Sequence, residues 1–528
     1  MALDSTVTAE KGGVHIEDVE HNLDDDLHRS LLDILPDWGR PWYRVPHLLK
    51  LNCLLFVMFI TNVYNGFDNS LIGSLQAIDT WNEFFHTPSG AILGFASNCL
   101  MIGSICALPF ISFILDGIGR VRSIMLGLGF LIIGVIVQGS AQNFGAYTGG
   151  RLITGFGNAI ACAAAPLLVA ETAYPAHRPY MTGFASCFYN VGSLLCSWIA
   201  FGVDFWKPSD WQWRSPILLQ LMFPVIQFSC IWMAPESPRW YVAKGRIEDA
   251  RAMLLKWHAG GDEAIAGRMV DWELKEIEAG IEGSRMQNQS RWVDWFRTKQ
   301  NFRRFLIVVM TAFVSQLSIP GITSYLPKVL IAEGITSSTK QLLINSTMGI
   351  TSLIYGMVGV VLIKPFGRKT IFLFSMASTS VLFSLFTVFT ALNEKANYQN
   401  KAYSNAVLAL LYIYGMFYTV CLTAIPMVYL TEILPYTMRA KGIVVQNFFV
   451  CALIVFNQFV TPIALVSMTW KFYCIFDVVM LVYFVIIWFL FPETRGLSLD
   501  EISTVFGDAP PELQAKMRDM AYTEKVVA

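Results

Sequence analysis

Asp68 and Arg151 are the residues whose type and position in this 528-residue chain most clearly indicate chemistry. Each lies inside a long apolar stretch, where a charged side chain costs about 2.5–3.5 kcal/mol and therefore indicates a function. At about 1.5 Å per helical residue, both fall near the outer ends of their stretches, so each is the expected partner of the other. Arg151 favours ionised Asp68, whereas closure of a dry cavity favours the protonated acid, which is what proton coupling requires. A static ion pair that anchors two helices is the alternative.

Other charges cluster in phrases that recur about half a chain apart. Pro-Glu-Ser-Pro-Arg at 235–239 returns as Pro-Glu-Thr-Arg-Gly at 492–496, and Asp-x-x-Gly-Arg at 116–120 returns as Lys-x-x-Gly-Arg at 364–368. Duplicated halves with matching charges between helices are typical of membrane transporters. We expect the charges to form a cytoplasmic gate whose ion pairs break on opening, although solvated helix ends are the alternative. The predicted gate residues are Asp116, Arg120, Glu171, Arg178, Glu236, Arg239, Arg368, Glu432, Arg439, Glu493 and Arg495.

The composition indicates a membrane protein. Apolar residues make up 54% of the chain and charged residues 15%, whereas a soluble chain carries about 25% charged residues. A net charge of −1 gives no reason to expect nucleic acid as a partner. The ten cysteines lie in apolar stretches without the spacing of a disulfide framework or a metal site. We expect no metal, no cofactor apart from a coupling proton, and no cleavable signal peptide in the polar segment 1–46.

Twelve apolar stretches are long enough to cross a hydrocarbon core about 30 Å thick. The predicted spans are 49–75, 90–114, 123–142, 146–172, 181–203 and 215–234, followed by 305–331, 342–363, 370–392, 404–431, 442–466 and 470–491. The positive charges favour one side of the membrane and include Arg40, Arg120 and Arg303, so we expect both termini in the cytoplasm.

These spans predict a domain organisation in five parts. The parts are a cytoplasmic tail (1–47), a first six-helix half (48–234), a cytoplasmic linker with short amphipathic helices (235–302), a second six-helix half (303–491) and a cytoplasmic tail (492–528).

Polar side chains inside the predicted spans are candidates for contacts with a small-molecule cargo. They are Asn190, Gln316, Tyr325, Asn447, Asn457 and Gln458. Hydrogen bonding between helices explains each of them equally well. The glycine-rich run at 149–157 has the letters of a nucleotide-binding loop, but inside a span small residues permit close helix packing. Asn345 starts an Asn-Ser-Thr pattern and is a candidate for N-glycosylation on the outer side.

Taken together, the motifs resemble the sugar-porter branch of the major facilitator superfamily over about residues 50–505. The resemblance rests on Asn-Gly-Phe-Asp at 65–68, Gly-Arg at 150–151 and the phrases at 116–120, 235–240 and 492–496. Phrases at 165–168, 432–442 and 456–459 are more specifically similar to the fungal lactose and cellodextrin permease group. The resemblance implies an all-α membrane protein of twelve helices in two six-helix repeats. It also implies proton-coupled sugar uptake by alternating access, with Asp68 and Arg151 at the coupling positions.

The departures from the family pattern lie in the second half. The span-seven pattern of glutamine, then glycine-asparagine, then paired tyrosines becomes Gln-Leu-Ser-Ile-Pro-Gly at 316–321 with a single Tyr325. Ser352 and Thr461 stand where asparagines are expected, and Lys364 replaces an acidic gate residue. Because a buried sugar hydroxyl without a partner costs a few kcal/mol, these losses favour a changed and less polar cargo.

We therefore expect a secondary transporter of a mono- or disaccharide that works as a proton symporter, and not an enzyme. The alternative is a major facilitator transporter of a non-sugar metabolite, such as a natural product. A sugar sensor that does not transport is a remote alternative, disfavoured by the short segment after Gly496. We expect a monomer in the lipid bilayer of the plasma membrane.

Overall fold

The computed structural model describes residues 36, 38–288, 292–318, 325–362, 367–396, 400–422, 425–468, 470–494 and 506. Within these ranges the chain forms helices and short connections, with no strand. An all-helical architecture is what a bilayer demands, because a helix satisfies its backbone hydrogen bonds internally. The all-α prediction is confirmed.

The first half of the molecule contains six membrane spans. Its helices are α1 (Pro46–Leu75), α2 (Asp79–Phe84), α3 (Gly90–Ile118), α4 (Arg120–Gly139), α5 (Phe144–Thr172), α6 (Arg178–Asp204), α7 (Trp211–Leu219) and α8 (Met222–Cys230). Short α2 lies between the first two spans, and α7 and α8 together form the sixth. We call the side where α1 begins the inner side, and the opposite side the outer side.

Four linker helices follow on the inner side. They are α9 (Pro238–Ala243), α10 (Ile247–Trp257), α11 (Glu263–Asn288) and α12 (Asp294–Arg297). An apolar cluster joins Met253 and Leu254 of α10 and Val270 of α11 to Leu48 and to Tyr174, which follows α5. The linker is therefore docked on the inner ends of the first half.

The second half repeats the six-span arrangement. Its helices are α13 (Lys299–Leu317), α14 (Leu326–Ala332), α15 (Ser338–Leu362), α16 (Arg368–Lys395), α17 (Lys401–Leu422), α18 (Ile425–Ile433), α19 (Tyr436–Met468) and α20 (Lys471–Leu490). Nine helical segments in the described part of the chain are long and apolar enough to cross a membrane. Helices α6, α13 and α15 occupy the remaining positions of the predicted twelve spans.

One predicted span is interrupted, and a second begins earlier than expected. The span predicted at 215–234 contains a turn at Gln220 and Leu221 between α7 and α8. Pro224 explains this turn, because proline has no N–H to donate to the carbonyl four residues earlier. The span predicted at 305–331 begins earlier, with α13, and continues as α14 after residues 319–324, which lie outside the described residues.

Glycines bring helices of the first half into backbone contact. A Cβ on Gly66 of α1 would lie 1.9 Å from the Tyr189 carbonyl oxygen, and a Cβ on Gly192 of α6 would lie 1.9 Å from the Val63 carbonyl oxygen. Helices α1 and α6 therefore cross through reciprocal glycines. The predicted packing role of the run at 149–157 is confirmed for three of its glycines, Gly150, Gly155 and Gly157, whose added Cβ atoms would meet backbone of α4 or α3.

Candidate functional site

The structure brings Asp68 of α1 and Arg151 of α5 together within the first half. Asp68 Oδ1 lies 3.7 Å from Arg151 Nη1, and the two side chains are 0% and 1% exposed. This distance makes an ion pair but exceeds the length of a hydrogen bond between charged groups. Both carboxylate oxygens of Asp68 and the Nε and Nη1 atoms of Arg151 are buried without a hydrogen-bond partner.

Two buried tyrosines flank this pair. Tyr64 lies one helical turn before Asp68 on α1, and Tyr147 lies one turn before Arg151 on α5; each buried hydroxyl interacts with the charged group one turn on, but without a hydrogen bond of normal length and angle. Burial disfavours a charged carboxylate, whereas the guanidinium favours it. Because these opposing effects meet in a pair without a direct hydrogen bond, the arrangement suits a carboxyl that changes protonation when water enters.

A polar seam between α1 and α5 begins one turn from Asp68. Asn65 Oδ1 accepts hydrogen bonds from Asn158 Nδ2 at 2.9 Å and from Asn69 Nδ2 at 2.8 Å. Our sequence analysis gave none of these asparagines a role. Their positions in apolar spans are the signal that could have found them, since amides inside a membrane are retained for hydrogen bonding.

Another carboxylate that the sequence analysis missed is Asp477 of α20. Its oxygens accept hydrogen bonds from the hydroxyls of Ser384 and Thr387 on α16, each at 3.1 Å. The rule that singled out Asp68 applies equally to this residue. In contrast to Asp68, both of its carboxylate oxygens are hydrogen-bonded.

The first-half gate residues form a cluster at the inner ends of α3, α4 and α5. Arg120 Nε donates to Glu171 Oε2 at 3.1 Å, and Arg120 Nη1 lies 3.6 Å from Asp116 Oδ1. The Glu236 carboxylate accepts the backbone N–H groups of Arg120 at 2.8 Å and Val121 at 3.1 Å. Burial raises the pKa of Glu236, and these N–H donors oppose that shift.

The same cluster recurs in the second half. Arg368 Nε and Nη2 donate to Glu432 Oε1 at 3.1 Å and 2.9 Å. Glu493 Oε1 accepts the Arg368 backbone N–H at 2.8 Å, and the Thr494 hydroxyl donates to Glu432 Oε2 at 2.5 Å. Ser237 likewise donates to Glu171 in the first half. Each of these contacts lies within one half, so this conformation does not use them to join the halves.

The remaining gate candidates lie in different surroundings. Arg178 and Arg239 line an inner-side cavity of about 260 Å³ between the first half and α11, together with Glu171, His258, Glu273 and Glu276. Arg439 lies on α19, and its Nε is buried without a hydrogen-bond partner in the described part of the chain. Arg495 and Lys364 lie outside the described residues.

A histidine that the sequence analysis did not mention fixes the linker to the first half. His258 Nδ1 lies 2.7 Å from Glu273 Oε2, and His258 Nε2 lies 3.1 Å from the Thr172 carbonyl oxygen at the end of α5. Both side chains of the pair are at most 3% exposed. Burial opposes a positive charge on His258, but the Glu273 carboxylate and the Thr172 carbonyl together outweigh it and raise the pKa of His258.

Four of the six cargo candidates converge on α13, α14 and α19. The Tyr325 hydroxyl donates to the Gln458 carbonyl oxygen at 2.7 Å, and Asn457 Nδ2 donates to the Gln316 carbonyl oxygen at 2.9 Å. The side-chain Oε1 of Gln458 is buried without a hydrogen-bond partner. This free oxygen can accept a hydrogen bond from a hydroxyl of a cargo molecule.

The other two cargo candidates lie apart from that group. Asn190 is on α6, and its Nδ2 is 3.4 Å from the position that a Cβ on Gly356 of α15 would take. Asn447 is exposed on α19, more than two turns before Asn457. The structure thus places Asn190 at the contact between the halves and separates Asn447 from the other candidates.

Hydrogen bonds join the two halves toward their outer ends. Ser346 of α15 donates to the Ser197 carbonyl oxygen at 2.9 Å, and Asn345 Nδ2 donates to Ser74 Oγ at 3.1 Å. Asn98 Nδ2 of α3 donates to the Val455 carbonyl oxygen of α19 at 3.2 Å. The outer side is therefore closed. A glycan on Asn345 would require its contact with Ser74 to break.

The chain matches a model of a known protein family over most of its length. The family model described as "Sugar (and other) transporter" matches residues 54–506. The chain belongs to the sugar transporter family. The predicted resemblance to sugar porters is therefore confirmed, and the chain is a sugar-type carrier, not an enzyme.

Curated relatives of this family member include fungal proteins. The MFS-type transporter oryC of Aspergillus oryzae is 29% identical over 78% of this chain and 77% of its own length. The sugar transporter STL1 of Saccharomyces cerevisiae is 26% identical over 84% of this chain and 79% of its own length.

Solved structures show that this sugar transporter family member has the major facilitator fold. The inward-open xylose transporter XylE of E. coli superposes with a TM-score of 0.70 at 18% identity, over 86% of this chain and 99% of that chain. The partially occluded inward-open form of XylE gives a TM-score of 0.68 at 19% identity, over 85% and 99%. The chain is an integral membrane protein with multiple spans and the predicted twelve-helix fold.

Proposed function

We propose that this chain moves a sugar across its membrane together with a proton, by alternating access. The observation that carries the proposal is the buried pair of Asp68 and Arg151, separated by 3.7 Å. Among the described residues, neither oxygen of the Asp68 carboxylate has a hydrogen bond of normal geometry, and only the Tyr64 hydroxyl interacts with it as a donor. At such a buried site, the 3.7 Å ion pair offsets only part of the desolvation cost of an ionised carboxylate. A proton that binds to Asp68 removes this charge, so that it need not be buried.

Alternating access connects this proton to the opening of the molecule. When the outer side opens, water reaches the upper parts of α1 and α5 and stabilises the ionised carboxylate. Protonation then makes closure less costly, since a neutral acid is easier to dehydrate than a carboxylate. Release of the proton on the inner side returns Asp68 to its ionised form, which Arg151 favours.

The duplicated charge clusters supply the proposed inner gate. In the conformation with a closed outer side, Arg120 and Arg368 are held within their own halves by Glu171 and Glu432. We place the inner closure where these two clusters approach each other. Such contacts need only small differences in energy between states to act as a gate.

The proposed cargo site includes the Gln458 side chain, whose Oε1 is buried without a partner. Asn457, Gln316 and Tyr325 hold the surrounding backbone through their hydrogen bonds. A sugar presents many hydroxyl donors, and a free amide oxygen in a dry pocket is a suitable acceptor for one of them.

A cargo less polar than a common hexose is a second candidate. Ser352 on α15 and Thr461 on α19 offer shorter polar side chains than the asparagines expected at these positions. The relatives are also mixed, since STL1 is described as a sugar transporter and oryC only as an MFS-type transporter. Both observations support a non-sugar metabolite on the same scaffold.

We further propose a membrane topology and an assembly state for this protein. The positive charges around the inner helix ends support an inner side that faces the cytoplasm, with both termini there. We place the protein in the plasma membrane as a monomer surrounded by lipid. Export by the same symport would carry the proton outward, against an inward-directed proton gradient.

The Asp68→Asn variant tests the coupling. We expect accumulation of cargo against a gradient to fall to equilibrium, because an amide cannot carry the proton, while exchange of labelled cargo continues. Proton-linked currents and accumulation ratios in vesicles measure the two effects. The matched control is Asp477→Asn, which makes the same change in another span, where the amide can keep hydrogen bonds to Ser384 and Thr387.

Concentrative uptake by Asp68→Asn at the wild-type level would contradict the coupling role. Cargo is identified by screening labelled monosaccharides, disaccharides and polyols for proton-linked currents. If no sugar gives a current while a non-sugar metabolite does, the second candidate replaces the first without any change to the role of Asp68.

A further inference from the structure

We propose that Asp204, the last residue of α6, is the latch of the outer gate. Its Oδ1 accepts a hydrogen bond from the Ser338 hydroxyl at 2.8 Å, and its Oδ2 accepts one from the Thr339 hydroxyl at 2.6 Å. Asp204 belongs to the first half, whereas Ser338 and Thr339 begin α15 in the second half. One carboxylate therefore holds the two halves together through both of its oxygens.

The hydrogen bonds of Asp204 to Ser338 and Thr339 are strong because their acceptor is a charged carboxylate. Hydrogen bonds to an ionised carboxylate are about twice as strong as those between neutral groups. The carboxylate also lies at the first residues of a 25-residue helix, where the positive end of the helix dipole favours an anion. Ser338 Oγ lies 2.8 Å from the Ala77 carbonyl oxygen as well, which brings the connection after α1 into the same contact.

Neighbouring acids explain why this carboxylate needs partners in the second half. Asp79 and Glu83 of α2 lie close by in the first half, and the pKa of Asp79 is raised by burial and then by the charges of Asp204 and Glu83. Asp79 and Asp204 therefore repel each other at the outer mouth, and Glu83 adds to the negative charge around Asp79. The hydroxyls of Ser338 and Thr339 relieve part of that repulsion only while the halves touch.

The position of the contact makes it a latch. Helices α6 and α15 meet again further into the membrane, where Ser346 donates to the Ser197 carbonyl oxygen. Ser338 precedes Ser346 by eight residues, or about 12 Å along a helix. Separation of the outer ends must therefore break the Asp204 contacts before the deeper ones. Asp204 sets how often the outer side opens, and it acts on the gate without touching the cargo.

The test measures opening directly and needs no cargo. Ser74 is fully buried at the contact with Asn345, so a cysteine at this position reacts with a bulky maleimide only when the outer ends separate. Purified protein carrying Ser74→Cys is labelled with and without Asp204→Ala, and the parent chain gives the background from its native cysteines. Ser337→Cys, at an exposed position just before α15, is the reference for full access.

We expect Asp204→Ala to accelerate labelling of the position-74 cysteine by about tenfold, which is the shift in equilibrium expected from losing a charge-assisted contact. The matched control is Asp210→Ala, which removes an acid from the same outer side whose 3.8 Å pair with Arg214 stays within the first half. Labelling at Ser337→Cys should not change in any background.

A second variant separates the latch from effects of charge or folding. The double change Ser338→Ala and Thr339→Val removes the two donors and leaves Asp204 in place, and we expect the same acceleration. If Asp204→Ala does not fold, this double variant carries the test alone. Equal labelling rates in the latch variants and in Asp210→Ala would overturn the proposal. Because no cargo is present, that failure would say nothing against proton-coupled sugar transport.

Discussion

The buried pair of Asp68 and Arg151 differs in geometry from the ion pairs at the inner helix ends. Arg368 approaches Glu432 to 2.9 Å and Arg120 approaches Glu171 to 3.1 Å, each with a hydrogen bond, whereas Asp68 and Arg151 stay 3.7 Å apart. A buried pair stabilises a fold only when its geometry is good enough to offset desolvation. The better geometry thus occurs at the less buried pairs, which argues against a purely static anchor at Asp68.

His258 gives a prediction at the scale of a single residue. Because the Glu273 carboxylate raises the pKa of His258, the charged pair stabilises the docked linker fully below the unfolded pKa of about 6.5. This stabilisation is lost as the pH rises through the raised folded pKa. We expect His258→Asn to lower the melting temperature at pH 6 and to flatten its fall toward pH 9.

The measurement is thermal unfolding of the purified protein across that pH range. His86→Asn is the control, because His86 is exposed in the outer loop and asparagine tolerates its positive φ of 56°. His47 and His177 are unchanged in both variants; in the wild type, burial and then the charge of His258 lower the pKa of His177. Parallel pH profiles for the wild type and His258→Asn would show that the pair contributes no linkage.

Single residues also show which pairs of side chains could be predicted from the sequence and which could not. Asp68 and Arg151 could be paired from depth alone, because few partners exist inside a membrane. His258 could not be paired, since the linker offers many acids and only the fold selects Glu273. Asp477 was missed although the same rule pointed to it, and the structure supplies its two hydroxyl partners.

At the scale of elements, reciprocal glycines explain how α1 and α6 approach each other. Gly66 and Gly192 each leave room for a carbonyl oxygen of the facing helix, at 1.9 Å from where a Cβ would be. In the second half, the added Cβ on Gly349 would meet the nearest atom at 3.3 Å, and a Cβ on Gly415 would meet nothing within 4 Å. Among the second-half glycines whose surroundings the structure describes (positions 349, 356, 367, 415 and 442), none would bring a Cβ within 3 Å of the backbone of a facing helix.

Gly66→Ala should therefore destabilise the protein. Its Cβ would collide with backbone and not with a flexible side chain, so α1 and α6 must move apart; overpacking of this kind costs about 1–3 kcal/mol. We expect a lower melting temperature and a lower yield of monodisperse protein in detergent. Gly129→Ala is the control, because nothing lies within 4 Å of its added Cβ in α4.

An unchanged melting temperature for Gly66→Ala would contradict the close contact of these helices. The control should be neutral or slightly stabilising, since alanine is favoured over glycine in a helix by about 1 kcal/mol.

The helices themselves were largely predictable, because length and apolarity determine a span. The interruption of the sixth span was not predictable. Pro224 could equally have been tolerated within a continuous kinked helix, and only the structure shows that α7 ends at Leu219 and α8 begins at Met222. Boundaries differ most where polar residues extend a helix beyond the hydrocarbon region, as at Lys299 in α13.

For the whole molecule, the repeated charge phrases correctly indicated two similar halves. Their geometry agrees closely, since Glu236 and Glu493 each accept, at 2.8 Å, the backbone N–H of the arginine that starts the third span of the same half, Arg120 of α4 or Arg368 of α16. The sequence could not tell whether the arginines bond within or between halves, because both partners carry the same motif. Nor could it tell that the outer side is closed, which depends on contacts between distant residues such as Asn345 and Ser74.

The cargo prediction concerns two positions of the second half, Ser352 on α15 and Thr461 on α19. If loss of amides narrowed the range of sugars, then Ser352→Asn with Thr461→Asn should increase uptake of a polar sugar, because each amide adds a donor and an acceptor. About a tenfold gain in kcat/KM corresponds to the 1.4 kcal/mol expected from one additional satisfied hydrogen bond. Labelled uptake in a transport-deficient cell measures it.

The control for this pair is Ser352→Ala with Thr461→Val, which removes polarity and should lower uptake of the same sugar. No gain with any sugar in the asparagine variant would mean that these positions do not determine the cargo.

The inner charge clusters have a further consequence for how the protein is made. The contacts described for the first cluster run only from Asp116 to Trp240, whose indole N–H donates to the Asp116 carbonyl oxygen at 3.1 Å. They need no residue of the second half. Ribosomes release a chain from its N-terminus, and domains generally fold as units in that order. The first six spans, together with the linker as far as α9, can therefore neutralise these inner charges before the second half is made.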